Sequence, residues 1–148
     1  MAMTLTKADA LRAYARALNS GSTLPLEACL ADDFSYESQW VFSAIESKVE
    51  FLEYLSRKLE TIAREGATVF AEMGTISAYG EDRPCVIVAQ HARENLVGIA
   101  LAKVENGELK RLDLCMVPPP EEATRSGEYP GRSTGDSAAP SEGPGPGR

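Results

Sequence analysis

Apolar positions along the chain change period twice, dividing it into helices followed by strands. Over Thr6–Asn19, Leu11, Tyr14, Ala15 and Leu18 recur at helical spacing, Arg12 and Arg16 lie off that stripe, and Asn19-Ser20-Gly21 ends it. Leu24–Leu30 reads as a short second helix with Pro25 in its first turn, where a missing N–H costs nothing. Phe34, Tyr36, Ser38 and Trp40 then fall on one side of an alternating, strand-like run. Ser47-Lys-Val-Glu50 is a capping-box pattern, and Phe51, Tyr54, Leu55, Leu59 and Ile62 carry the helix it opens to about Glu65, with Gly66 at its end. Four strand-like runs follow, Thr68–Tyr79, Pro84–Arg93, Leu96–Val104 and Leu109–Val117. The last two are joined through Asn106-Gly107, a pair that favours a tight hairpin. Helices first and an antiparallel meander after them predict an α+β domain.

The run Leu96–Val104 is apolar on both faces. Leu96, Gly98, Ala100, Ala102 and Val104 form a small-residue face suited to lie under a helix or beside a cavity, while Val97, Ile99 and Leu101 form a bulky one. Each face needs apolar cover. With only one long helix after the N-terminal region, the second face is expected to meet another copy of the chain. A homodimer through the convex side of the sheet follows from that reading.

From Pro118 the composition changes: most of the nine prolines lie there, with almost no aliphatic residues. A segment so poor in apolar surface cannot offset its ordering entropy, so residues 1–117 are read as the domain and 118–148 as a disordered Pro/Gly-rich tail. On that reading, deleting 121–148 leaves thermal stability unchanged. The formal net charge of −7 argues against a nucleic-acid partner, whose phosphates need a basic surface. No run is long and apolar enough for a membrane span, and Met1–Leu5 has neither the basic nor the apolar part of a secretion signal. Three widely spaced cysteines, Cys29, Cys85 and Cys115, fit reduced and mostly buried thiols, so a cytoplasmic location is expected. One histidine, His91, and no CxxC or HxxxH pair make a transition-metal site unexpected, and no cofactor is called for.

The order helix, short helix, Ala31-Asp32-Asp33, aromatic strand, long helix and four-strand meander resembles the nuclear transport factor 2-like superfamily over roughly residues 4–117. That group includes ketosteroid isomerases, polyketide cyclases and limonene epoxide hydrolases. The resemblance implies a cystatin-like cone, with N-terminal helices packed on a curved antiparallel sheet around a pocket and the convex face free to dimerise. Against ketosteroid isomerase, whose oxyanion hole combines a tyrosine with a protonated aspartic acid, Arg12-Ala-Tyr14-Ala-Arg-Ala-Leu-Asn19 resembles the helix-one segment. Tyr14 would then take the tyrosine's place. The proton-carrying aspartate of that enzyme would fall on Ser38 and the oxyanion-hole acid near Ala100, neither of which can do the work. Hydrolase-like members place Arg and Asp groups inward on the last strand, whereas here the inward set would be Leu112, Leu114 and Met116, leaving Arg111 and Asp113 outside.

These residues point to a small, largely apolar ligand in a pocket walled by Tyr14, Tyr36, Ser38, Trp40, Tyr54 and Ala100. Under a plainer reading Tyr14, Tyr54 and Phe51 are core aromatics at helical spacing, and Trp40 is packing. A cyclase- or isomerase-like proton transfer is the enzymatic alternative, and it needs Glu72, His91 or Asp113 to face inward as a base. A scaffold or interaction module with a collapsed pocket is the third reading.

Overall fold

A computed structural model of the chain describes residues 5–39, 44–78 and 80–132. Its elements are α1 (Lys7–Ser20), α2 (Leu24–Glu27), β1 (Leu30–Ser38), α3 (Lys48–Arg64), β2 (Val69–Ala78), β3 (Glu81–Gln90), β4 (Leu96–Glu105), β5 (Glu108–Cys115), a 3₁₀ turn (Pro120–Glu122) and β6 (Thr124–Arg125). Local sequence explains both long helices. Thr6 caps α1 by accepting from the Asp9 N–H at 3.0 Å, while the Asp9 carboxylate accepts from the Thr6 N–H at 3.1 Å. Gly21, at φ 74°, closes that helix in the left-handed region. Ser47 accepts from the Glu50 N–H at 3.0 Å to start α3, but the Glu50 carboxylate meets the Ser47 hydroxyl, so the reciprocal half of the expected box is replaced by a side-chain contact.

The strands form one sheet in the order β1-β5-β4-β3-β2-β6, with β2 to β5 an antiparallel meander and β1 parallel to β5. This is the expected α+β arrangement. The second helix is shorter than expected: it stops at Glu27, because Cys29 already accepts from the Leu109 N–H at 2.7 Å and the chain enters β1. No helix among the described residues is long and apolar enough to cross a membrane.

The two faces of the sheet carry separate apolar clusters. Toward the helices, Leu11, Tyr14 and Leu18 of α1 and Phe51, Leu55 and Leu59 of α3 pack with Phe34, Tyr36, Val86, Val88, Ala100, Leu112 and Leu114. On the outer face Ile76, Cys85, Ile87 and Ile99 are at most 1% exposed, with Leu96, Leu101, Cys115 and Ala123 packed beside them. The assignment of β4 faces needs one correction. A register shift between Val88 and Ala89 against Gly98 and Leu96 sends Leu96 to the outer cluster and Val97 to the helix side, the reverse of strict alternation.

The outer cluster is covered within the chain itself. Residues 118–132 were expected in a disordered tail, but they form a strap that crosses this face, pairs with the β2 edge and continues onto α1. Pro120 is buried, Ala123 joins the outer cluster, and Thr124 and Arg125 pair with Thr75 and Gly74. A Cβ at Gly74 would lie 2.8 Å from the Thr124 carbonyl oxygen, so the close approach of the strap depends on glycine there. Polar anchors replace the aliphatic residues that the segment lacks. Arg125 donates to Glu72 at 2.7 Å, and the Gly127 N–H and Tyr129 hydroxyl donate to the same buried carboxylate at 2.7 and 3.3 Å. Asn19 donates to the carbonyls of Ala71 and Pro130 at 2.8 and 2.7 Å, and Arg132 donates to the Val69 carbonyl at 2.7 Å. The guanidinium carbon of Arg93 lies 5.4 Å from the Phe70 ring centre and 4.8 Å from that of Tyr129. The described part of the domain therefore extends to Arg132, and residues 133–148 lie outside the described residues.

One strap contact predicts a pH effect. Arg12 donates to Glu128 at 2.6 Å, and this bond holds the Glu128 carboxyl below its ordinary value of 4.5. A lowered folded value means that the pair stabilises the fold above pH 4.5 and that the gain disappears as pH falls through the folded value. Both side chains are more than one-third exposed, so solvent holds the contribution below about 1 kcal/mol. Thermal midpoints of the parent and Glu128→Gln should therefore differ slightly at pH 7 and converge as the pH falls through the folded value; a constant difference would assign the effect to packing.

Candidate functional site

The two long helices share the sheet, and the space between them is the candidate site. α1 packs over β2, β3 and β4 while α3 packs against β1. Beside α3, four aromatic rings fill the interior. Phe34 and Phe51 have ring centres 4.7 Å apart, Tyr36 and Phe51 4.9 Å, and Tyr36 and Tyr54 5.6 Å. Where the aromatics end, a cavity of about 180 Å³ opens, lined by Tyr14 and Leu18 of α1, Lys58 and Ile62 of α3, and Val69, Val88, Gln90, Val97 and Leu114 of the sheet. An engineered apolar cavity of about 150 Å³ accommodates benzene, so this volume fits one ring with small substituents and not a fused polycycle.

Among the described residues, the lining side chains that carry polar groups are Tyr14, Gln90 and Lys58, and the others are aliphatic. Burial pushes the Tyr14 phenol well above its ordinary range, and nearby Tyr54 adds to the effect. Tyr36 is raised too, by burial first and then by Tyr14 and Tyr54. Both phenols are therefore protonated near neutrality and can donate a hydrogen bond, but neither is a base.

Among the described residues that were expected to wall the pocket, Tyr14 alone lines this cavity. Tyr36 and Tyr54 belong to the aromatic packing beside it. Ser38 is buried on the same side of β1 as Tyr36 and accompanies it, and Ala100 is buried in the helix-side core. Their small or hydroxyl side chains leave no carboxylate at those positions. Trp40 lies outside the described residues.

None of the candidate bases is among the described residues that line the cavity. Glu72 is buried but faces the outer side, held by Arg125, Gly127 and Tyr129 of the strap. His91 sits exposed in the turn after β3 at φ 71°, its backbone N–H donating to Thr68 at 2.7 Å. Asp113 accepts from the Arg111 guanidinium at 2.9 and 3.0 Å, and Arg111 also reaches Glu37. Leu112 and Leu114 take the inward positions of β5, as the resemblance implies.

Two polar lining residues, Lys58 and Gln90, were not among those expected. Both left a trace in the sequence. Lys58 interrupts the stripe Phe51, Tyr54, Leu55, Ile62 at a position four residues after Tyr54 and four before Ile62. Gln90 ends the alternating inward set Val86, Val88, Gln90 on β3.

No family model matches the sequence, and no curated protein does. Solved structures match it in fold. A nuclear transport factor 2-like protein of unknown function from Cytophaga hutchinsonii aligns with a TM-score of 0.54 and 14% identity, over 80% of this chain and 97% of that one. A protein of Pseudomonas putida provisionally described as a polyketide cyclase aligns at 0.50 with 15% identity, over 75% and 91% of the two chains. A domain of unknown function with a cystatin-like fold from Nostoc punctiforme aligns at 0.50 with 16% identity, over 74% and 77%. At these identities the likeness is one of fold, and the chain has the cystatin-like fold of nuclear transport factor 2-like proteins.

Proposed function

We propose, from the nuclear transport factor 2-like fold as premise, that the protein binds a small, largely apolar molecule of about one ring in the cavity between α1, α3 and the sheet. The observation that carries this reading is the cavity itself, about 180 Å³, lined among the described residues by six aliphatic side chains and by Tyr14, Lys58 and Gln90. Withdrawing about 200 Å² of apolar ligand surface from water is worth roughly 5 kcal/mol, which corresponds to a Kd on the order of a millimolar or somewhat below. Affinity beyond that has to come from the polar groups.

A proton-transfer enzyme is the weaker reading. One fold relative is provisionally described as a polyketide cyclase, but such chemistry needs a base within hydrogen-bond reach of the substrate. No carboxylate or imidazole lines this cavity among the described residues. The binding reading stands without a dimer, because the chain's own strap covers the face that called for one.

Calorimetric titration with toluene tests the proposal. Toluene should bind the parent with a Kd near a millimolar. Val97→Phe, which places a ring in the space Val97 now borders, should abolish that binding while shifting the thermal midpoint by only a few degrees. Absence of toluene binding by the folded parent would refute the reading.

A further inference from the structure

We infer that the ligand is a small monoanion, a carboxylate on a single-ring body, with the carboxylate held at Lys58 and the ring seated among Leu18, Val69, Val88, Val97 and Leu114. The inference rests on the cavity-binding reading and specifies its ligand class. Lys58 is the one charged side chain lining the cavity among the described residues. The residues three and four positions away on α3 are Tyr54, Leu55, Thr61 and Ile62, so the helix face offers no carboxylate partner at ion-pair spacing.

The contacts that the ammonium does make leave its charge available. Its nitrogen lies 5.8 Å from the Tyr54 ring centre, an attraction of modest size for a partly solvated cation. No ion pair involving Lys58 forms among the described residues. Gln90 and Tyr14 line the same cavity, and each brings a neutral donor. One cation and two neutral donors beside aliphatic walls, with no anionic group among them, match a carboxylate that is attached to an apolar body. A neutral ligand would leave the Lys58 charge unanswered, and a cation would be repelled by it.

The net charge of −7 does not oppose this match at close range. At physiological ionic strength the field of distant surface carboxylates decays over about 8 Å, whereas a carboxylate at Lys58 is in contact. A charge-assisted hydrogen bond in a partly dehydrated site is stronger than its neutral counterpart. The charge should therefore show as a preference between two ligands of the same shape.

Benzoate, benzamide and toluene make that comparison at pH 7, titrated into the full chain and into Lys58→Met, which keeps an apolar stem and removes the charge. The parent should bind benzoate about tenfold more tightly than benzamide. Lys58→Met should erase that preference, so that benzoate and benzamide bind it within twofold of each other. Equal or weaker binding of benzoate than benzamide by the parent, with toluene still bound, would overturn the anion inference and leave the cavity reading standing. Loss of all three ligands from Lys58→Met would make Lys58 a wall of the cavity and overturn the inference as well. Failure of the parent to bind any of the three would overturn both readings.

Discussion

A chain ending at Val117 is expected to lose more than 10 °C in thermal midpoint and to self-associate in sedimentation. The cut removes the cover from Ile76, Cys85, Ile87 and Ile99, none of which is more than 1% exposed in the whole chain. Partial exposure of several such side chains costs about 1 kcal/mol or more apiece, and a further penalty comes from Glu72, whose carboxylate loses all three of its donors. Release of the strap's own ordering entropy offsets part of this sum. A net loss of roughly 3–5 kcal/mol would still be a large share of a typical domain's stability, and at this size it converts to about 10–20 °C. Replacing Glu72 by Val in the shortened chain should recover part of the loss, because an unpartnered buried carboxylate then gives way to a side chain suited to a strand. In the full chain the same substitution should destabilise. A shortened chain that melts within 2 °C of the full one, and remains monomeric, would show that the strap does not support the fold.

The strap was invisible to composition for a physical reason. The reading of 118–148 weighed aliphatic content, which measures only the capacity to bury apolar surface. Residues 118–132 attach instead through groups whose partners lie far along the chain: Arg125 with Glu72, Glu128 with Arg12, Asn19 with Pro130. No local pattern announces such pairings. Glu72 was legible only as a carboxylate on a strand, and the choice between cavity, solvent and strap depended on what crossed the outer face. By contrast, the periodic segments were readable because their signal is local. The stripes of α1 and α3 and the Asn106-Gly107 hairpin all lie where spacing and turn chemistry put them. Alternation failed at Leu96 and Val97, where a register shift against β3 exchanges the faces of two residues without a mark in the apolar pattern.

The candidate site was legible in part and for the same reason. Tyr14 follows from the helical stripe of α1, and its place at the cavity follows from α1 lying across β2, β3 and β4. Tyr36 and Tyr54 were on the correct side of their elements, but which inward aromatics border a void and which fill it depends on how Phe34 and Phe51 stack with them. That is a matter of three-dimensional packing. Lys58 and Gln90 carry no catalytic signature of the kind that an acid or a histidine gives. A single cation inside an apolar helical stripe is an equally readable departure from pattern, and here it lies on the cavity.

Ile99→Asp separates the two accounts of the outer face and should have the largest effect of any single substitution considered. Reading β4 alone, Ile99 is one of three residues of a bulky face that calls for a second copy, and a charge there would split a dimer and leave folded monomers. In the structure Ile99 is fully buried within one chain, packed with Ile76, Cys85 and Ile87 and opposite Cys115 on β5. An aspartate at this position loses the aliphatic packing and places a carboxyl where no donor awaits it. The cost should exceed about 4 kcal/mol at pH 7, enough to abolish the cooperative thermal transition or lower it by 15 °C or more. Ile99→Ala removes the packing alone and should cost about 2–4 kcal/mol, leaving a folded chain in which the extra penalty of the charge can be read by difference. A parent that sediments as a dimer, together with an Ile99→Asp variant that melts like the parent but sediments as a monomer, would return the outer face to the second copy and displace the strap from it.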